Sequence, residues 1–503
     1  MSNDVTTPYG GPSPAPSGPR RRKLWIAAGV AGLTGVVGLA AIGAVAARDS
    51  KSGGQERTSG ERPAAAPKQN ASDADKVDAA SGEEYGEADG RFEGGYGRKG
   101  GKEDRDREKD GKEVPCDTET LVEAVNRANE DNGGVFKLAK DCTYTFTEQT
   151  DSNAFPVIDE RITILGNNST FFHNGTELFR FFEVASGGQL TLKNLTLKGG
   201  QISSPPPPPS GANGGALLVH EGGEATLTHT KLVDNRVTGV GNQGNGGAIY
   251  NEGKVEIRDS LLTNNHARGV GNGGNGGAIY NEGELIVHST RVDNNTATGN
   301  SAASGSGGGI ANVDDGIATI AYSQITSNKA SNDGGGIHSD DDARLTVIRT
   351  KIAGNTACDN GGGINNDGNS TMLLEHVIIA ENKATDDGGG VYHDSNTIAT
   401  IRDAKFIDNT AGNNGGGLFN GDTLNLFDSE FQGNHAREGG AIYNDNNATL
   451  TIRKTKIVGN FASVTAGAGG IFNANNGTVN LDNKTIIKKN EPRNCTNVTG
   501  CAN

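Results

Sequence analysis

The sequence predicts an all-β fold, a right-handed parallel β-helix solenoid of about 10 to 13 coils with a short amino-terminal capping helix. Three observations carry this expectation. A glycine doublet leading into an apolar residue recurs as GGAL at Gly214, GGAI at Gly246 and Gly276, GGGI at Gly307, Gly334 and Gly361, GGGV at Gly388, GGGL at Gly415, GGAI at Gly439 and GGI at Gly469. Each copy is followed by an apolar residue three places before an asparagine, giving Asn235, Asn264, Asn295, Asn328, Asn355, Asn382, Asn409, Asn434, Asn460 and Asn490. Between the two motifs the chain alternates, as in KVEIRDS from Lys254, RLTVIRT from Arg344 and TLTIRKT from Thr449, and a period of two is the strand signal.

Composition agrees with a thin rod rather than a globule. Seventy-seven glycines with 5% aromatic and 33% hydrophobic residues are poor material for one central core. A net charge of −15 excludes a nucleic-acid partner, because no basic surface is available to displace phosphate counterions.

Four segments follow in order. Residues 1–23 read as a cytoplasmic tail ending in Arg20, Arg21, Arg22 and Lys23. Residues 24–47 are uncharged and, at about 20 residues or more, long enough to span a bilayer, so they read as a transmembrane signal-anchor or a signal peptide. The twin arginines before Leu24 and Ala44-Val45-Ala46 resemble an export signal and its cleavage site; anchored or cleaved, the remainder is expected outside the cytoplasm. Residues 48–113 are charged, glycine-rich and without apolar periodicity, a disordered linker. Residues 114–503 are the β-helix domain.

Within that domain Thr118 to Asn129 places apolar residues at Leu121, Val122, Val125 and Ala128, an amphipathic helix that would cover the first coil. Cys116 with Cys142, and Cys495 with Cys501, are placed to staple the two ends, leaving Cys358 as a free thiol rather than a nucleophile. Coils stacked at about 4.8 Å would bring the asparagines into a ladder, each amide bond contributing about 1 kcal/mol. A second ladder is expected from Asn251, Asn281, Asn312, Asn366, Asn420, Asn444 and Asn473, and a hydroxyl column from Thr230, Thr290, Ser323, Thr350, Ser429, Thr455 and Thr485.

The paired GGA[ILV] and FxxN motifs between Gly214 and Asn490 resemble the repeats of the chlamydial polymorphic outer-membrane protein family, within the pectin-lyase-like β-helix superfamily. The leader VPCDTETLVEAVNRAN also resembles that of secreted actinobacterial β-helix proteins. The resemblance implies surface display and adhesion. Autotransporters of that family end in a membrane β-barrel, whereas thirteen residues follow Asn490 here, so the amino-terminal helix is the expected membrane attachment instead.

Three places invite chemistry. The loop between each asparagine and the next glycines is long after Asn235, Asn264 and Asn295 and short in most later coils, which marks either a binding edge or glycine-rich slack. Glu252, Glu282, Asp340, Asp367, Asp394 and Asp445 form an acidic column, with calcium as a bridging ion at Asp340, Asp367 and Asp394 or plain turn chemistry as the alternative. Arg258, Arg349, His376 and Lys454 share a third column with Ser289, Tyr322, Asp403 and Asp428. The monotony of the coils favours a non-catalytic structural, adhesion or glycan-binding role with a cell-envelope or extracellular glycan or protein as ligand. The alternative is a polysaccharide lyase or glycoside hydrolase.

Overall fold

A computed structural model describes residues 111–204, 212–300, 304–394 and 396–503. The tail, the apolar segment 24–47 and nearly all of the charged linker lie outside the described residues, among which no helix is long and apolar enough to cross a membrane. The first strand, β1 (Lys112–Val114), begins just inside the stretch read as linker and pairs in parallel with Phe136–Leu138. Helix α1 (Thr118–Glu130) follows. Its amino terminus is capped by Asp117, whose carboxylate accepts from the Thr120 amide at 2.8 Å. Its buried stripe of Leu121, Ala124, Val125 and Ala128 closes the end of the core.

The rest is a parallel β-helix of about 13 coils. Its strands form three parallel sheets: a long sheet of 25 strands, a glycine-edge sheet of 12 that follows the doublets, and a loop-edge sheet of 10 that follows the asparagines. Alternation turns one apolar residue per step inward, as in Val255 and Ile257 stacking on Leu285 and Val287, all fully buried. The core is therefore mainly a column of Leu, Ile and Val, with phenylalanines gathered in the first coils (Phe155, Phe171, Phe179, Phe181, Phe182) and a stacked pair, Phe406 on Phe431, in two later ones.

The doublet's two glycines do different things. The first holds φ near +65°, as at Gly246 (+67°) and Gly388 (+65°), where an L side chain is strained. The second lies against the next coil: a Cβ on Gly247 would stand 2.0 Å from the Gly277 carbonyl oxygen.

The asparagine ladder forms with one correction. Leu232 pairs with Leu262, so the ladder member is Asn265 and not Asn264. The duplicated Leu261-Leu262 and Asn264-Asn265 made both registers readable in sequence. The fold chooses the one that buries Leu262 completely and leaves Asn264 at the bend, with φ +57°. From Asn235 through Asn490 each Nδ2 donates to the Oδ1 of the next coil, at 3.0 Å for Asn235 to Asn265 and 2.9 Å for Asn409 to Asn434. The same Oδ1 also accepts a backbone N–H, and the same Nδ2 also reaches the previous coil's apolar anchor, as Asn265 does with the Leu232 carbonyl at 3.0 Å. The hydroxyl column is present too, and the register correction adds Ser260 between Thr230 and Thr290. Cys116–Cys142 and Cys495–Cys501 are disulfides, and Cys358 is a free, exposed thiol.

Candidate functional site

At the loop edge, each ladder asparagine is followed by a short outward strand. In six consecutive later coils it is two residues long, as in Lys329–Ala330 and Thr356–Ala357. After Asn235 and Asn265 it lengthens to six, Arg236–Gly241 and His266–Gly271, paired in register at every residue. With the corrected ladder both loops have the same length, 236–245 and 266–275, which is why they stack. Val237 and Ala267 point inward and are fully buried. Outward along the two strands stand Arg236 and His266, then Thr238 and Arg268, then Val240 and Val270, the valines 46% and 43% exposed.

The returning limbs hold this ridge in shape. A Cβ on Gly239 would stand 2.1 Å from the Gln243 carbonyl carbon, and one on Gly269 equally close to that of Gly273, so only glycine lets the limbs close. Gly273 N–H donates to the Gly241 carbonyl at 2.9 Å and Gly271 N–H to Asn300 Oδ1 at 2.7 Å. In the two loops of equal length the first six residues are thus strand. Exposed amides at Asn242, Asn272 and Asn300 line their tips.

A further polar ladder supports the glycine side and was missed from sequence. Asn213 Oδ1 accepts from the Asn245 amide (3.1 Å), Asn245 from Asn275 (3.0 Å), Asp333 from Asn360 (2.9 Å), Asn360 from Asp387 (3.1 Å) and Asp387 from Asn414 (2.8 Å). Its signal was available, since an Asn or Asp stands directly before most of the doublets.

The acidic column runs along the same side. Glu252 meets His220 Nδ1 at 3.1 Å, Glu282 accepts from the Tyr250 hydroxyl at 3.0 Å, and Asp394 from the Tyr392 hydroxyl at 3.2 Å. Asp340 lies 3.7 Å from His338 Nε2, and Asp367 caps the Gly368 amide at 2.8 Å. Burial first, then neighbouring carboxylates, push Glu282 up to about 7 and Asp367 up to about 6; Asp387, two columns away, is likewise raised to about 6. Among the described residues no three His, Cys, Asp or Glu side chains converge on a common metal position, and Asp340, Asp367 and Asp394 stand one per coil.

Between these acids the outward column of the glycine-edge sheet carries stacked rings, Tyr250 on Tyr280 at 5.1 Å and Tyr392, Phe419, Tyr443 and Phe472 at 4.8 to 5.4 Å. Their faces cover one another, so the stack is structural. It is interrupted by Ala311, His338 and Asn365, and the second asparagine ladder is interrupted nearby by Ser339 and His393, an irregularity that the repeat pattern had not disclosed.

The third column is a bend. Arg349, His376, Lys454, Tyr322, Ser289, Asp403 and Asp428 all have φ near +50°, and Asp259 fills the position expected for Arg258. Neighbours pair along it: Arg349 with Tyr322 at 3.4 Å, His376 with Asp403 at 3.7 Å, Lys454 with Asp428 at 3.5 Å. A separate buried cluster joins the first coils, where Arg180 bonds Glu183 at 2.9 Å and Glu183 bonds His220 at 2.8 Å. Burial would raise Glu183, but the His220 hydrogen bond and the Arg180 charge hold it below the usual carboxylate range.

The family model for the Chlamydia polymorphic membrane protein repeat matches residues 259–282 and 428–445. No curated protein matches it by sequence. Among solved structures it is similar in fold to tailspike protein 3 of bacteriophage CBA120, at 11% identity and a TM-score of 0.39 over 76% of this chain, spanning 59% of the tailspike's length. It is similar also to the periplasmic alginate epimerase AlgG, at 12% identity and TM-score 0.38 over 74% of this chain and 83% of that one. The Streptococcus pneumoniae surface adhesin PfbA aligns at 12% identity and TM-score 0.23, over 73% of this chain and 89% of the adhesin.

Proposed function

We propose that this chain is a surface-displayed, extracytoplasmic rod that binds an extracellular glycan at its loop-edge ridge without cleaving it. Segment 24–47 attaches it to the membrane or serves as its export signal. The observation behind this is the ridge itself: two loops of equal length pair residue for residue and present Val240 and Val270 to solvent. Apolar side chains aligned at about 4.8 Å, bordered by exposed amides, suit the C–H face and hydroxyls of a sugar chain.

The test is a titration of the full chain with neutral and acidic polysaccharides, with and without calcium, reading both binding and new reducing ends. Binding that is lost in a Val240→Asp/Val270→Asp double variant, with no new ends, is the expected result. Reducing ends would overturn the non-catalytic reading and favour a carbohydrate-active enzyme, for which Glu282 and Asp367, raised toward neutrality, are the acids to replace first. Binding unchanged by the double variant would remove the ridge from consideration.

A further inference from the structure

Resting on that reading, we infer that the ridge selects polyanionic glycans, chains whose sugars or links carry carboxylate or phosphate groups. Arg236 and Arg268 are exposed and lie diagonally across two paired coils, one coil up and two residues along, about 8 Å apart at Cα. Among the described residues neither has a carboxylate within ion-pair reach. The stretches 205–211 and 301–303, outside the described residues, contain no ionisable residue.

His266 reports the local field. It sits half-buried directly opposite Arg236 in the pairing, and its Nε2 lies 2.9 Å from Thr298 Oγ1. Burial first, then the charges of Arg236 and Arg268, hold its pKa below the ordinary histidine value. Burial and the two arginine charges thus disfavour its protonated form, leaving the guanidiniums as the cations of the ridge.

Two solvated guanidiniums without internal partners are an oxyanion clamp. Each offers a planar fork of N–H donors matched to a carboxylate or phosphate. The valines, two residues further along from Thr238 and Arg268, would meet the sugar ring between two such groups. The chain's overall charge of −15 does not forbid this, because at physiological ionic strength screening acts within about 8 Å and the acidic column runs along the other edge of the coil.

The experiment uses the full chain and three probes: polygalacturonate, a poly(glycerol phosphate) chain and neutral dextran. At least tenfold tighter binding of one or both anionic polymers than of dextran is expected. It should fall at least tenfold in the Arg236→Gln/Arg268→Gln double variant, whose unchanged melting temperature would show that the fold is intact. Which polymer binds separates carboxylate from phosphate recognition. Equal binding of dextran and the polyanions, insensitive to the arginine variant but abolished by Val240→Asp/Val270→Asp, would keep the ridge as a glycan site and overturn its anionic selectivity. Polyanion binding insensitive to both variants, or no binding of any probe, would overturn the ridge itself.

Discussion

The two asparagine ladders share a residue type and a spacing, yet one runs unbroken from Asn235 to Asn490 while the other is interrupted at Ser339 and His393. In the unbroken ladder each Oδ1 from Asn265 onward takes two donors, the backbone N–H and the Nδ2 of the coil before. In the other, an asparagine caps a turn of its own coil, as Asn251 Oδ1 does for the Gly253 amide at 3.1 Å, while its Nδ2 reaches Asn281 at 2.6 Å. Losing a member of the first ladder strips a buried backbone amide. Losing one of the second, such as Asn251, strips the next coil's side-chain oxygen and a turn amide of its own coil. Two buried oxygens without a hydrogen-bond partner fall at these breaks: Asn366 Oδ1 follows Ser339, and Asn420 Oδ1 follows His393. An asparagine ladder is directional: a lost side chain leaves the next coil's Oδ1 short of a donor and, in the unbroken ladder, the previous coil's backbone amide short of its acceptor.

The comparison breaks most sharply at Asn355. Asn355→Leu removes the acceptor of the Asn328 amide and Nδ2 and the donor to the Ile325 carbonyl and Asn382 Oδ1, all fully buried. The expected loss is more than about 3 kcal/mol, measured by denaturant unfolding. A loss below 1 kcal/mol, on the order of one ordinary hydrogen bond, would mean that the two ladders do not differ in kind.

His393 is next. Its ring is buried, and burial holds its pKa down to about 4 from 6.5, so the folded state keeps it neutral while the unfolded chain takes up a proton. Its contribution to stability is therefore intact above pH 6.5 and is lost as pH falls toward 4, by up to about 3 kcal/mol. His393→Asn should abolish that acid loss and also supply the donor that Asn420 Oδ1 lacks. The check is the difference in stability between variant and wild type from pH 7.5 to 4.5. It should widen on acidification, because the raised carboxylates act with opposite sign but are common to both chains.

Ser339→Asn tests the other break without a titrating group. It should stabilise by about 1 kcal/mol at all pH values by giving Asn366 Oδ1 its donor, and a lower melting temperature would show that coil packing leaves no room. The smallest effect is expected at the bend before the unbroken ladder. Glu381 holds φ +55° where other coils use Gly354, Gly433 and Gly459, so Glu381→Gly should gain about 0.5 kcal/mol in the same melt.

Periodicity by itself determined most of this molecule. Doublets, alternation and FxxN spacing are local chemistry repeated at coil length, so the parallel β-helix, the capping helix, both disulfides and nine of the ten ladder asparagines were legible before any coordinates. The polar ladder through Asn245, Asn360 and Asp387 was equally visible in principle, one place before the doublets. Tertiary structure decided what depends on register and on neighbours in the next coil. Asn264 and Asn265 are indistinguishable until Leu262 is seen to pair with Leu232. His393 reads as an ordinary histidine until burial sets its protonation. The long loops read equally as a binding edge or as glycine-rich slack; that two of them are equal in length and stacked, with Gly239 and Gly269 pressed against their own returning limbs, is visible only in the fold. A sequence specifies which side chain leaves each coil. Only the stacking of coils determines what that side chain meets.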